Sequence, residues 1–277
     1  MSRLFTFGCS FTSYAWPTWA NIIAFDQDLE IHNFAQAGMG NFGIANRVIE
    51  ADLKYKFKDD DIICIMWTSW DREDRIKNTS WNCNGSIFFN NEYYDKLYIK
   101  KFYDEGHKVV SNTFYIHAIN KLYGDKISWQ GSGFAYYLND TYENPKQYIE
   151  NKSTKKVIKM YKSLLPDIYK WTNAESFKSF GVLNDKHPDI NAHLDLVVTQ
   201  IYPKLGFTLK TTTQNRLNKF HNSIVEYFSS KLPVKKYFWQ KTLSNNDKDI
   251  PELMTKFLNN EFKDIKKHMK LEKKEIL

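Results

Sequence analysis

Ser10 stands just beyond an apolar run, RLFTF, and is reached through Gly8 and Cys9. A serine at such a strand exit can project its hydroxyl above a sheet edge, where backbone donors at a helix N-terminus are within reach. The same residue also suits an ordinary turn. Serine-based acyl transfer needs a nucleophile, a base, an acid to orient the base, and donors for an oxyanion. The chain carries a candidate for each, in order. In NFAQAGMGNFG, Gly38 and Gly40 fall at a strand-to-helix transition, where a backbone N–H can face developing negative charge. A plain βα turn that needs glycine for positive φ accounts for them equally. In MWTSWDR, Thr68 and Ser69 follow a strand-like run and offer hydroxyls or amides as further donors. In NDKHPDINAH, Asp185 precedes His187 by two positions in a loop that enters a helix. A short turn there would let the carboxylate hold the imidazole Nδ1–H, and an imidazole is a suitable proton acceptor near neutral pH. A surface histidine is the alternative.

Neighbouring residues of reactive type are weighed the same way. Cys9 is a rival nucleophile, but one residue of displacement on an extended chain points its side chain elsewhere. His193 is expected to be a structural, helix-facing residue, and Asp189, just after Pro188, a helix cap. The stretch GMGNFG has the outward form of a dinucleotide fingerprint. It follows the second strand rather than the first, however, and no acidic residue ends the next strand at the required distance. The histidines lack metal-ligand spacing, so neither a metal nor another cofactor is expected.

The elements that must position these residues are legible over the first 70 positions. Residues 3–7 read as a buried strand, 18–25 as a helix, and EIHNFA as a strand ending near Asn33. The glycine-rich turn then leads into an amphipathic helix, and DDDIICIMW suits a central parallel strand. Alternating strand and helix argue for an α/β domain with a parallel sheet. The stretch from about 70 to 108 reads as an insertion beside the strand's carboxyl end. A helix is expected over roughly 109–123, a fourth strand at GFAYYL, a helix over 145–170 up to Pro166, a loop over 171–188, and a helix after Pro188.

These four blocks resemble the SGNH (GDSL-type) hydrolases. FGCS resembles the Gly-Asp-Ser block, NFAQAGMGN the second, MWTSWD stands in place of Gly-x-Asn-Asp, and DKHP resembles the last. The resemblance covers residues 4 to about 200. It implies a flavodoxin-like three-layer α/β/α fold with a central parallel sheet, Ser10 as nucleophile, Asp185 and His187 as acid and base, and the Ser10 and Gly38 amides as oxyanion donors. The chain departs from the family in three places, one of them the spacing of two, rather than the more frequent three, between Asp185 and His187. Cys9 replaces the usual aspartate, and Ser69 stands where the family's third-block asparagine donates to the oxyanion. Ser69 or Thr68 can substitute for that donor, or the side chain of Asn41 or Arg72 can move in.

Composition sets the remaining bounds. The 277 residues suffice for a substantial core, and no apolar run approaches the roughly 20 residues of a membrane span. No basic-then-apolar leader is recognisable, and Cys9, Cys64 and Cys83 are too few for a disulfide framework, so a reducing cytoplasm is the simplest home. Residues 1–204 carry 24 Lys and Arg against 24 Asp and Glu, whereas 205–277 carry 15 against 8. The sequence therefore divides into an α/β domain over 1–204 and a basic helical extension over 205–277. Leu258, Phe262, Ile265, Met269 and Ile276 share one helical face of that extension. This stripe is expected to pack on the body, with docking onto a partner or another protomer as the minority reading. Lysines mixed with acids suggest a solvated face and argue against nucleic acid. Aromatic residues of the insertion, among them Trp70, Trp81 and Tyr94, either stack a sugar or pack the insertion down. The expected activity is hydrolysis of a short acyl ester, such as a carbohydrate acetyl ester. The alternatives are acyl transfer and a glycan-binding or structural module with impaired chemistry.

Overall fold

A computed structural model describes residues 2–88, 94–133, 166–171, 187–231 and 249–274, with isolated positions at 156, 160, 163 and 180. In chain order the elements are β1 (Arg3–Phe7), α1 (Trp19–Gln27), β2 (Glu30–Asn33), α2 (Asn41–Tyr55), β3 (Ile62–Trp67), β4 (Arg72–Lys77) and β5 (Ser80–Ser86). There follow α3 (Lys96–Phe102), α4 (Glu105–Tyr123), β6 (Ile127–Ser132), β7 (Tyr169–Lys170) and α5 (Ile190–Leu196). A wider π-helical turn, Val197–Ile201, carries α5 into α6 (Tyr202–Leu205), and α7 (Thr211–Lys231), α8 (Asp249–Asn260) and α9 (Lys263–Lys266) complete the set.

Five strands form one parallel sheet in the order β2-β1-β3-β6-β7, and β4 and β5 form a separate antiparallel pair. The two central strands show why helices must cover both faces. In β3, Cys64 and Met66 enter one core cluster while Ile63, Ile65 and Trp67 enter the other; in β1, Leu4 is divided from Phe5 and Phe7 in the same way. Side chains alternate across a strand, so a strand apolar at every position needs cover on both sides. Trp19, Ile22 and Ile23 of α1 cover the first face with Ile190 and Leu194 of α5. Ile44, Val48 and Ala51 of α2 and Ile116 and Ile119 of α4 cover the second. The chain is thus mixed α/β around a five-stranded parallel sheet, compatible with a three-layer α/β/α arrangement. No helix among the described residues is long and apolar enough to cross a membrane.

The early elements coincide with those expected from the sequence, as do α4 and α5, while the fourth strand and the insertion differ. The fourth strand of the sheet is Ile127–Ser132, ahead of GFAYYL, which after Gly133 lies outside the described residues. Its polar residues are engaged: Gln130 exchanges side-chain hydrogen bonds with Asn120, and Ser128 Oγ accepts the Ile63 N–H at 3.1 Å. The insertion is not featureless but opens with the β4–β5 hairpin. Its two-residue turn, Asn78-Thr79, has positive φ at both positions (51° and 63°), the requirement of the tightest hairpin turns. The helix expected over 145–170 up to Pro166 and the loop expected over 171–188 fall largely outside the described residues, and within them Tyr169–Lys170 form the edge strand β7 rather than helix.

Segment 205–277 shares a core with the rest. Leu217, Phe220, Ile224, Met254, Leu258, Phe262 and Ile265 belong to the cluster that also holds Leu4, Trp19 and Ile22, and Met269 packs against it. The expected stripe does face the body, but across two helices rather than one; Ile276 lies outside the described residues. Beyond α9 the chain extends. Leu271 bridges in parallel to Asn33, the Glu272 N–H donates to the Asn33 carbonyl at 2.8 Å, and the Trp81 N–H donates to the Lys274 carbonyl at 3.2 Å.

Candidate active site

The loop between β1 and α1 is built by close approach. A Cβ on Gly8 would collide with Thr12 Oγ1 and lie 3.1 Å from the Met66 carbonyl, so only glycine lets the chain turn back here. The N–H groups of Thr12 and Ser13 both donate to the Cys9 carbonyl, at 2.9 and 3.2 Å, closing a tight turn around Ser10. Ser10 keeps 7% of its surface exposed; Cys9 keeps none and sits in the first core cluster. The thiol therefore faces inward, away from the loop surface.

This loop also holds His187. Tyr14 stacks on the imidazole with ring centroids 3.8 Å apart and planes at 19°, and Phe11 meets it edge-on at 5.6 Å. Trp16 Nε1 donates to the Pro188 carbonyl at 2.9 Å, fixing the backbone beside the histidine. Asp185 lies outside the described residues. Asp189 caps α5, accepting the Ala192 N–H at 3.0 Å and the Phe180 N–H at 3.0 Å, the capping role its position suggested. His193 is fully enclosed against Trp171, and burial, with a smaller contribution from His187, pushes its imidazole down to about 3. It is neutral at physiological pH and structural.

The remaining candidates follow the ends of β2 and β3. Gly38 has φ 79°, and a Cβ there would lie 2.8 Å from the Cys83 carbonyl and 2.9 Å from the Gly85 nitrogen. Glycine is thus required for both backbone conformation and room. Asn41 joins two elements: its Oδ1 accepts the Thr68 N–H at 2.8 Å, while Nδ2 donates to the Thr68 carbonyl at 3.0 Å and to Asn112 Oδ1 at 2.9 Å. Both amide hydrogens are engaged, so Asn41 anchors the loop after β3 instead of offering a hydrogen to a ligand. Arg72 Nη1 donates to the Met39 carbonyl at 3.3 Å. Thr68 and Ser69 are buried, and Thr68 Oγ1 has no hydrogen-bond partner among the described residues. A buried hydroxyl without a partner is uncommon in a native fold.

Strand order brings these positions together. β1 lies between β2 and β3 in parallel register, so Ser10, the Gly38 turn and Thr68-Ser69 all leave the sheet at its carboxyl edge. The chain reverses its winding between β1 and β3, the switch point at which open α/β sheets bind ligands. The insertion is placed beside this edge, and its rings divide: Trp70 and Trp81 are each 4% exposed and Tyr94 is 3% exposed, Phe88, Tyr98 and Tyr103 are half-buried, and Phe102 is exposed. Trp81 Nε1 donates to Glu50 Oε1 at 2.9 Å. The buried rings pack the insertion down, and Phe89 and Tyr93 lie outside the described residues. Among the described residues no group of three or more His, Cys, Asp or Glu is arranged to hold a metal ion. The stacking of Tyr14 on His187 and the joint of Asn41 to Asn112 carry no local sequence signal, because each spans more than 70 residues.

No family model matches the chain, and neither the curated proteins nor the solved structures contain a match to it.

Proposed function

We propose that the protein is a serine esterase of the SGNH type, with a flavodoxin-like catalytic domain, acting on a short acyl ester such as the acetyl group of a carbohydrate. The observation that carries the reading is the packing of the Ser10 loop onto His187 through Tyr14 and Phe11 at the switch point of the sheet. In this mechanism His187 takes the Ser10 proton as Oγ attacks the ester carbonyl, and Asp185 orients the imidazolium. The amides of Ser10 and Gly38 receive the oxyanion, with Thr68 or Ser69 as the third donor. Collapse expels the alcohol, protonated by His187; water activated by His187 then releases the acid. Removal of one such donor typically costs about 2.7–4 kcal/mol of transition-state stabilisation, so the third donor decides whether turnover is fast. Acyl transfer follows if another hydroxyl replaces water.

A specific observation favours a second reading, a glycan-binding or structural module without turnover: Asn41, whose side chain bonds to Thr68 of the third block, has both amide hydrogens committed. Labelling with a fluorophosphonate, with the adduct mapped by mass spectrometry, separates the two. The esterase reading expects an adduct on Ser10 that disappears in His187→Ala. A folded wild-type protein with no adduct on Ser10 overturns it in favour of the module.

A further inference from the structure

The glycine-rich turn after β2 is covered, residue by residue, by the β4–β5 hairpin. The Gly85 N–H donates to the Gly38 carbonyl at 3.0 Å, and Arg72 Nη1 donates to the Met39 carbonyl. The Gly40 N–H donates to Asp74 Oδ1 at 2.8 Å and the Gly43 N–H to Asp74 Oδ2 at 2.7 Å. Cys83 stands opposite Asp74 as its cross-strand partner in the hairpin. A Cβ would lie 2.8 Å from Cys83 O at Gly38, 2.9 Å from Asp74 Oδ2 at Gly40 and 2.8 Å from the same oxygen at Gly43. All three glycines of the Gly-x-Gly-x-x-Gly pattern thus make room for the hairpin.

Gly40, as the N-cap of α2, has no side chain with which to satisfy the first-turn amides. Asp74 takes that part from 34 residues further along, and its charge complements the positive end of the helix. Two of the amides that a nucleotide phosphate would use, those of Gly40 and Gly43, are therefore occupied from within the chain. The hairpin itself makes no strand pairing with the main sheet, and an isolated two-stranded hairpin is marginal in water. Its attachment to this turn, together with the bonds of Trp81 to Glu50 and Lys274, gives it a fixed place, and it gives the turn a fixed shape in return.

We propose that the β4–β5 hairpin is a clamp that sets the backbone of the Gly38–Gly43 turn, with Asp74 as its positioning residue, so that the Gly38 amide meets the oxyanion. The catalytic half of this statement rests on the serine-esterase reading; the clamp itself does not. A group held within a few tenths of an ångström by its supporting shell stabilises a transition state far better than one left loose. Asp74 touches neither substrate nor nucleophile in this scheme and acts through the turn.

The test uses the full chain with Asp74→Ala and Asp74→Asn, and Leu258→Ala as a destabilised control remote from the turn. Amide exchange is followed at Gly40 and Gly43, and fluorophosphonate labelling of Ser10 is timed. The expected result is faster exchange at both glycines in Asp74→Ala and labelling slowed at least tenfold, beyond any slowing in the control. Asp74→Asn, which keeps one acceptor oxygen, falls between. Wild-type labelling rates in both Asp74 variants overturn the positioning role. If the wild type itself takes no label, the esterase reading fails and exchange alone decides: unchanged exchange at both glycines overturns the clamp, and faster exchange upholds it without its catalytic part.

Discussion

Tyr14 lies flat against His187, centroids 3.8 Å apart, so the residue four places after the proposed nucleophile holds the ring of the proposed base. A stacked pair of this kind fixes ring orientation as well as distance, and is worth about 0.5–1.5 kcal/mol beyond burial. Tyr14→Ala is therefore expected to slow Ser10 labelling by between about twofold and about tenfold, while Tyr14→Phe retains the wild-type rate. Equal rates in all three proteins would show that His187 is held by other contacts.

Thiol chemistry provides an independent check on which atom is the nucleophile. Cys9 and Cys64 are fully buried, and burial pushes the Cys64 thiol well above its ordinary value; burial and the charge of Asp74 do the same to Cys83. The thiolate is the reactive form, so all three should resist alkylation in the folded protein and react together once it is denatured. Rapid native modification of Cys9 alone would return the thiol to contention in place of Ser10.

The parts of the fold that were legible in the sequence are those where apolar pattern alone sets the element. β1 and β3 are apolar on both faces, and the chain at their ends changes abruptly to glycine, threonine or serine. The hairpin was not legible because β4, REDRIK, is charged and only half-buried, and because Asn-Thr is not among the commonest two-residue turns. β6 is not legible locally because its glutamine and serine are satisfied by Asn120 and by the backbone of Ile63, partners that no local window contains. The four blocks of the candidate site could be read because chemistry demands particular residue types. Asp74 could not, because the reason for an aspartate there is a pair of amides more than 30 residues earlier in the chain.

The C-terminal segment is expected to be indispensable to folding. Phe262 is fully buried, meets Phe220 edge-on at 4.8 Å and lies under the Arg216 guanidinium at 4.4 Å. Truncating a buried phenylalanine to alanine typically costs about 3–5 kcal/mol, since both transfer energy and cavity are lost. Phe262→Ala should lose stability of that order in denaturant titration, and a chain ending at 204 should fail to fold, because Trp19, Ile22 and Leu196 would lose their cover. A soluble, cooperatively unfolding 1–204 fragment would contradict this.

Glu272 ties that segment to the sheet and gives the protein a defined acid sensitivity. Burial pushes its carboxyl up, but hydrogen bonds with His32 at 2.9 Å, Tyr55 at 2.7 Å and Lys54 at 2.9 Å outweigh that and hold it at about 2, below the ordinary 4.5. In that interval the unfolded chain binds the proton more readily than the folded one, so stability falls as pH is lowered from about 4.5 to about 2 and is fully present above it. Hydrogen bonds to a charged group contribute about 1.5–3 kcal/mol, so Glu272→Gln should be destabilised by an amount of that order at neutral pH and by little near pH 2. The connection reaches the candidate site: the Glu272 N–H donates to the Asn33 carbonyl, and Asn33 Nδ2 donates at 3.2 Å to the Thr12 carbonyl in the Ser10 loop. Thermal unfolding of wild type and Glu272→Gln across this pH range should therefore give two curves that diverge as pH rises through the interval and run parallel above it. Curves parallel throughout would show that the carboxylate contributes nothing through its charge.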